Sequence, residues 1–251
     1  MSSRRFTLWL RREESKLHTK CVMRFPPHPI KEYRMNNQSR EFFAAVGGSV
    51  KKYANPFHKA YVYEDYRAIY FPIAKVASSN IKAHFFTNIS EPPKRLVRIQ
   101  YNRYENYFKF GFVRNPYDRL VSCYTDKTIR KPNNKFIARY DGRFYGGMSF
   151  SAFVRAVATL PPSIFDQHLA TQSSTLFNNG KLLVDFVGKF ENLNSDLLVV
   201  ARAIGCDADV LPEAGNKSRG RTDYQSYYDE ETRSIAEKIY RDDLENFDYQ
   251  F

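Results

Sequence analysis

Two segments about forty residues apart share one grammar, and that repetition constrains the fold more than any other feature. Ala68-Ile69-Tyr70-Phe71 is a β-branched and aromatic run that suits a buried strand and stops at Pro72. A polar turn from Ala74 to Asn80 leads into Ile81 and Phe85, which are spaced as neighbours on one helical face. Phe108 to Val113 reads as another strand and Arg114-Asn115-Pro116 as another turn. Asn115 is a good N-cap there, and Pro116 suits the first helical position because its missing N–H would have had no partner. That helix is expected to run to about Lys127. Strand, turn and helix in succession predict an α/β fold, three-layered, with a central, mostly parallel sheet covered by helices.

The rest of the chain follows suit. Ser149 begins a helix with Phe150, Phe153, Val154 and Val157 on one face, ended by Pro161-Pro162. Leu182 to Val187 reads as a third buried strand, and Asn192 to Ile204 as a helix closed by Gly205. Glu230 to Tyr240 is helical with Ile235 and Ile239 buried, and the tail from Asp242 to Phe251 is aromatic enough to dock. The polar stretch from Arg130 to Gly147 is expected to be a long surface loop near the substrate.

Composition bounds the class. With 43% apolar and 16% aromatic residues the chain is not disordered, and its 251 residues fit one domain, 1–251, on which the basic, aromatic first 60 residues pack as an extension. Cys21, Cys123 and Cys206 are too few and too scattered for a disulfide framework or a metal site, so a reducing compartment and no metal are expected. No apolar run approaches the roughly 18 to 20 residues of a membrane span. Phe6 to Leu10 is too short for the apolar region of a signal peptide, so a soluble, cytoplasmic protein is expected. The net charge of +12 admits a nucleic acid, an anionic membrane surface or a polyanionic small molecule, and does not choose among them.

The turns carry the chemistry. Successive amides and a lysine at the start of a helix, from Lys75 through Val76, Ala77, Ser78 and Ser79 to Asn80, form a P-loop-like cradle for a phosphate or sulfate. Alternatively, Ser78 or Ser79 merely caps the helix and Lys75 is a solvated turn residue. A nucleoside-triphosphate loop needs glycines that are missing between Gly48 and Gly111. In the second turn Arg114 can grip a phosphate through two N–H groups while Ser122 donates a hydroxyl. The competing reading pairs Arg114 or Arg119 with Asp118 and leaves Ser122 as a packing residue.

Together the two turns resemble the carbohydrate sulfotransferases, in particular the branch with the chondroitin and HNK-1 enzymes. Tyr70 to Asn80 is similar to their loop for the 5′-phosphosulfate of 3′-phosphoadenosine 5′-phosphosulfate (PAPS), and Phe112 to Tyr124 to their 3′-phosphate segment. Asp166-Gln167-His168, Asp185 to Glu191, Asn216-Lys217-Ser218 and Tyr240 to Tyr249 extend the resemblance over about 180 residues.

The resemblance implies that Lys75, Val76, Ala77, Ser78, Ser79 and Asn80 hold the sulfate and 5′-phosphate. It gives Arg114 and Ser122 the 3′-phosphate, and Lys217, Ser218 and Arg219 the closure over the nucleotide. Lys75 and His168 are then the catalytic pair, Lys75 at the leaving oxygen and His168 as the base, with Asp166 orienting it. Glu105 is an alternative base. Leu169-Ala170-Thr171-Gln172 departs from the aromatic-Pro-Gln that usually follows this histidine, so Gln172 keeps only part of its role. Ala77 stands where glycine is common, which requires its φ to stay negative.

The implied activity is transfer of sulfate from PAPS to a saccharide or glycan, anionic if the basic residues near the 130–147 loop help to draw it in, with release of 3′-phosphoadenosine 5′-phosphate (PAP). The alternative is a non-catalytic basic module for nucleic acid or a sulfated polymer, stacking on Tyr101, Tyr104 and Tyr107.

Overall fold

A computed structural model of the chain describes residues 60–85, 92, 94–96, 104–130, 132, 134–206 and 223–251. The amino-terminal extension therefore lies outside the described residues, as do Tyr101, Lys217, Ser218 and Arg219.

Strands β1 (Ala60–Tyr63) and β2 (Ala68–Phe71) form a hairpin, and helix α1 (Ser78–Phe85) follows. Next come β3 (Lys94–Leu96), β4 (Phe108–Val113), α2 (Pro116–Tyr124) with a π-helical continuation at Thr125–Arg130, α3 (Asn134–Arg139) and α4 (Phe150–Ala158). A short helix α5 (Ser173–Leu176) precedes β5 (Phe177–Asn178), β6 (Lys181–Leu182) and β7 (Phe186–Lys189). Helices α6 (Leu193–Ile204), α7 (Glu230–Ile239) and α8 (Arg241–Phe247) complete the described chain.

The main sheet has the order β3-β1-β2-β4-β7. The β2–β4 and β4–β7 pairs are parallel, while β1 is antiparallel to both its neighbours, so β1 alone runs against the other four strands. The sheet is mostly parallel, as the sequence predicts. Side chains alternate across it. Phe108, Phe110 and Phe112 share one face of β4, where Phe110 stacks on Tyr70 at 5.1 Å and meets Phe85 of α1 edge-on. The other face carries Gly111, where an added Cβ would lie 2.7 Å from Leu176 of α5. Helices thus close on both faces of β4, and only glycine admits the approach of α5.

A second apolar cluster joins α2, α3, α4 and α7 through Leu120, Val121, Phe136, Phe153, Val157 and Ala236. Local signals are obeyed closely there. Asn115 accepts from the Tyr117 amide at 3.0 Å, Ser149 caps α4 from Ala152, and Gly205 ends α6 in the left-handed conformation. Phe251 docks among Tyr117, Tyr224 and Tyr228, as the aromatic tail requires.

Several expectations are corrected. The 130–147 segment is not a plain loop: it contains α3, and Phe136, Tyr140 and Phe144 interlock with ring centroids 5.1 to 5.2 Å apart. Their four-residue spacing is a helical signal that the many polar neighbours obscure. Leu182 to Val187 is two strands rather than one. Asn179 and Gly180, both at positive φ, turn β5 into β6 as a separate hairpin, and only from Phe186 does the chain join the main sheet. Helix α2 gives way to the π-helical turn after Tyr124 rather than running regularly to Lys127. On α7, Thr232 and Ala236 are the buried positions and Ile235 and Ile239 are half-buried. Among the described residues no helix is long and apolar enough to cross a membrane.

Candidate active site

The sheet itself brings the two turns together. Because β2 and β4 are parallel neighbours in register, Phe71 opposite Gly111, both chains leave the sheet at the same edge. Ligand sites of open parallel sheets form at such carboxyl ends. The two loops touch there, with Arg114 Nη1 donating to the Lys75 carbonyl at 3.2 Å.

The first loop alternates in handedness. Lys75 (φ 69°) and Ala77 (φ 47°) are left-handed, whereas Val76 between them is not. Ala77 therefore does not keep the negative φ that its side chain prefers. The left-handed form costs an L-residue roughly 1–2 kcal/mol, so surrounding contacts must impose it. Three side chains do. Arg119 Nε donates to Ala74 O at 3.1 Å, Arg114 to Lys75 O, and Ser78 Oγ to Ile73 O at 2.5 Å. Alternating handedness turns successive amides toward a common point, a concavity that binds anions. The first intrahelical bond of α1 runs from the Ile81 amide to Ala77 O at 3.0 Å, so the Ser78 and Ser79 amides precede the helical ladder, as the first amides of a helix do. Val76 is buried and contributes backbone only, while Ser79 is exposed in the first turn of α1. The Asn80 side chain lies outside the description.

Lys75 reaches across to the π-helical turn, where its Nζ lies 3.2 Å from Asp126 Oδ2. Burial pushes its ammonium below the ordinary lysine value, and Asp126 opposes that shift.

Arg114 is 5% exposed and pairs with Asp118 through Nε (2.7 Å) and Nη2 (2.6 Å), stacking 4.2 Å from the centroid of the Phe190 ring. The pairing with Asp118 that the sequence also allows is therefore present. Among the described residues three of the five guanidinium N–H groups find acceptors, which leaves one each on Nη1 and Nη2. The Ser122 hydroxyl, buried on α2, has no partner among the described residues.

His168 is held by Asp166. Its Nδ1 lies 2.8 Å from Asp166 Oδ2, and its amide donates to Oδ1 at 2.9 Å. With the Nδ1 proton facing the carboxylate, Nε2 presents its lone pair outward. Burial opposes the charge on Asp166, but the hydrogen bonds it receives from His168 and the Leu169 amide outweigh it and hold the carboxyl below its ordinary value. The two halves of the site are joined by Arg119, which is 2% exposed and donates both to Ala74 O, before Lys75, and to Gln167 O (3.2 Å), before His168. Glu105, by contrast, precedes β4 at the opposite end of the strand from Arg114 and is exposed, which removes it from this cluster.

The model of the sulfotransferase family matches residues 58–250, a span that contains every group just described. The chain belongs to the sulfotransferase family. Among similar proteins, carbohydrate sulfotransferase 11 of Rattus norvegicus is 26% identical over 231 residues, covering 74% of this chain and 65% of that protein. Carbohydrate sulfotransferase 14 of Danio rerio is 30% identical over 139 residues, covering 50% and 37%. An uncharacterized protein of Archaeoglobus fulgidus is 31% identical over 116 residues, covering 46% and 78%. The chain thus spans 65% of the length of the first of these relatives. No solved structure matches it.

In this sulfotransferase-family chain Gln172 has a contact that its place in the sequence does not announce. Its buried side chain accepts from the Arg114 amide (2.9 Å) and donates to the Arg114 carbonyl (2.8 Å), so it clamps the backbone of the second turn. Glu191 and Tyr249 brace the same turn: Glu191 accepts from the Asn115 amide at 2.7 Å and from Tyr249 at 2.7 Å. Arg119, which the sequence offers only as a partner for Asp118, instead holds Ala74 O and Gln167 O, and Asp126 and Lys127 carry no local signal at all, because these contacts depend on distant residues.

Proposed function

We propose that this chain moves the sulfuryl group of PAPS to a hydroxyl of a saccharide by in-line displacement and releases PAP. The observation that carries the reading is the parallel β2–β4 adjacency, which sets an anion cradle with a half-buried lysine directly against a second basic turn. One nucleotide with a phosphate at each end matches two such turns. The amides at the start of α1 and the Ser79 hydroxyl suit the 5′-phosphosulfate, while the Ser78 hydroxyl is engaged with Ile73 O and holds the loop. The remaining N–H groups of Arg114 and the Ser122 hydroxyl, which has no partner among the described residues, suit the 3′-phosphate. Lys217, Ser218 and Arg219 belong to this reading as the closing segment.

In the reaction the acceptor oxygen bonds to sulfur as the bond from sulfur to the phosphate's bridging oxygen breaks, and the electron pair stays on that oxygen. Lys75 meets the charge that develops there. His168 Nε2 takes the acceptor's proton, and Asp166 stabilises the imidazolium that results. Positioning and charge supply most of the acceleration, as in the related phosphoryl transfers. The carbohydrate sulfotransferases among the relatives support a saccharide acceptor. Phe136 of α3 meets the His168 ring edge-on, so the exposed basic residues of that helix, Lys135 and Arg139, belong to an element packed against the base. They favour an anionic acceptor, whose rate would fall as salt rises.

The test is transfer of label from radiolabelled PAPS to a panel of glycans by the wild type, Lys75→Ala and His168→Ala. Transfer by the wild type and its loss in both variants is expected. Wild type that neither binds PAP nor transfers label would end the reading. Of the tyrosines of the polyanion-binding alternative, Tyr104 is buried and packs edge-on against the half-buried Tyr107 at 5.0 Å, which leaves its face little room for a stacked base.

A further inference from the structure

The π-helical turn after α2 delivers a second lysine to the cradle. Lys127 Nζ lies 3.2 Å from Asp126 Oδ2, the same oxygen that Lys75 Nζ approaches at 3.2 Å. Two ammonium groups therefore share one carboxylate oxygen, and their separation cannot exceed twice that distance. The lysines are the enclosed members of the trio, 19% and 10% exposed, while Asp126 is 44% exposed. A single negative charge leaves one positive charge uncompensated in a partly dry site, an arrangement that costs stability unless a stronger anion takes the place of the carboxylate. A helix end selected for stability alone would let the long Lys127 stem carry its charge out to water. Here it is drawn inward, by a helical distortion of a kind common at functional sites.

The cluster extends to the base. The buried Cys123 thiol, pushed up to about 12 by burial, feels the charges of Asp166, Arg119, Lys75 and Lys127 together. Lys127 thus belongs to the same electrostatic neighbourhood as the carboxylate that orients His168.

We propose that Lys127 is a second cation for the group transferred, gripping outer oxygens of the sulfuryl moiety while Lys75 faces the bridging oxygen, and that the Asp126 carboxylate stands in for that moiety until the donor displaces it. The inference rests on the PAPS reading above. Neither lysine gains or loses a proton in the step; the acceptor's proton goes to His168 and the electron pair to the bridging oxygen. A sulfuryl group has several oxygens at its disposal where Asp126 offers one to both lysines, so the exchange relieves the crowding of two cations on one atom.

The difference between PAPS and PAP isolates the sulfuryl group. Binding of labelled PAPS and of PAP, measured by equilibrium dialysis without acceptor, is compared in wild type, Lys127→Gln, Lys127→Arg and Asp126→Asn, together with transfer rates. Lys127→Gln should weaken PAPS about tenfold, leave PAP within about twofold, and slow transfer about a hundredfold, as loss of one preorganised donor does. Lys127→Arg should recover most of the PAPS preference, and Asp126→Asn should tighten PAPS by removing the competing carboxylate. An unaltered ratio of PAPS to PAP affinity in Lys127→Gln overturns the role of Lys127 while leaving the family reaction standing. Weaker PAPS binding by Asp126→Asn overturns the stand-in role. Should Lys127→Gln fail to fold, as shown by its thermal transition, the other two variants decide. Wild type that binds neither nucleotide overturns the underlying reading instead.

Discussion

Replacing Asp166 with asparagine separates catalytic orientation from structural capping at one position. The carboxylate makes two kinds of contact: Oδ1 accepts from the amides of His168 (2.9 Å) and Leu169 (3.3 Å), and Oδ2 faces His168 Nδ1 at 2.8 Å. Asparagine keeps an oxygen for the amides but puts an NH2 group against Nδ1. The ring must then accept at Nδ1 and carry its proton on Nε2, where a base needs a lone pair. The same exchange in a Ser-His-Asp hydrolase lowers kcat about ten-thousandfold with the geometry intact. A factor of about a thousand or more is expected here, since it arises from the same misplaced proton. PAP affinity should hold within about twofold and the denaturation midpoint should move little, because the amide contacts survive. Asp166→Ala loses those contacts as well and should cost about 1 kcal/mol of stability besides its activity. The assay is label transfer from PAPS under saturating donor, paired with urea denaturation. Transfer by Asp166→Asn within threefold of wild type would show that Asp166 only caps the Phe165–His168 turn and that His168 is not the base.

Three further outcomes follow from the packing and charges. Gly188→Ala places a Cβ 2.4 Å from the Phe112 ring, so thermal denaturation should register a loss of about 1–3 kcal/mol from overpacking. Gln172→Ala strands the Arg114 amide and carbonyl in a buried site; at about 1–3 kcal/mol for each unpaired group, urea denaturation should show about 2–6 kcal/mol lost, and PAP binding should weaken with it. Asp166 in the folded chain titrates below its ordinary 3.8, so its contribution is complete above about pH 4 and disappears as the pH falls through the lower folded value. The acid limb of stability should therefore be shallower in Asp166→Asn than in wild type, and equal slopes would contradict the depressed value.

The parts of the fold written into neighbouring residues were legible. Asn115 with Pro116, Ser149 before Phe150, and Gly205 after Ile204 each set a helix end through contacts within a few positions, and each end lies where the residues place it. The Asn179-Gly180 turn is equally local, but the apolar run from Leu182 to Val187 that follows it masks the break between β6 and β7. Candidate site residues followed a similar divide. Lys75, Arg114 and His168 announced themselves by residue type at strand ends or in a recognisable segment. Gln172 did not, because its partner lies 58 positions away and a buried amide clamping a backbone has no pattern in sequence. Asp126 and Lys127 depend on a π-helical turn, where regular helical spacing no longer tells which side a residue faces. Ala77 shows the opposite case: its type argued against the left-handed backbone that Arg114, Arg119 and Ser78 nevertheless impose on its loop.

The central claim is that the two crossovers at the carboxyl edge of β2 and β4 hold one nucleotide between them. A crystal structure with PAP measures this directly. Its 5′-phosphate is predicted to rest on the amides of residues 75–79, with its 3′-phosphate on Arg114 and Ser122. Well-defined density for PAP that leaves either turn untouched would contradict the account.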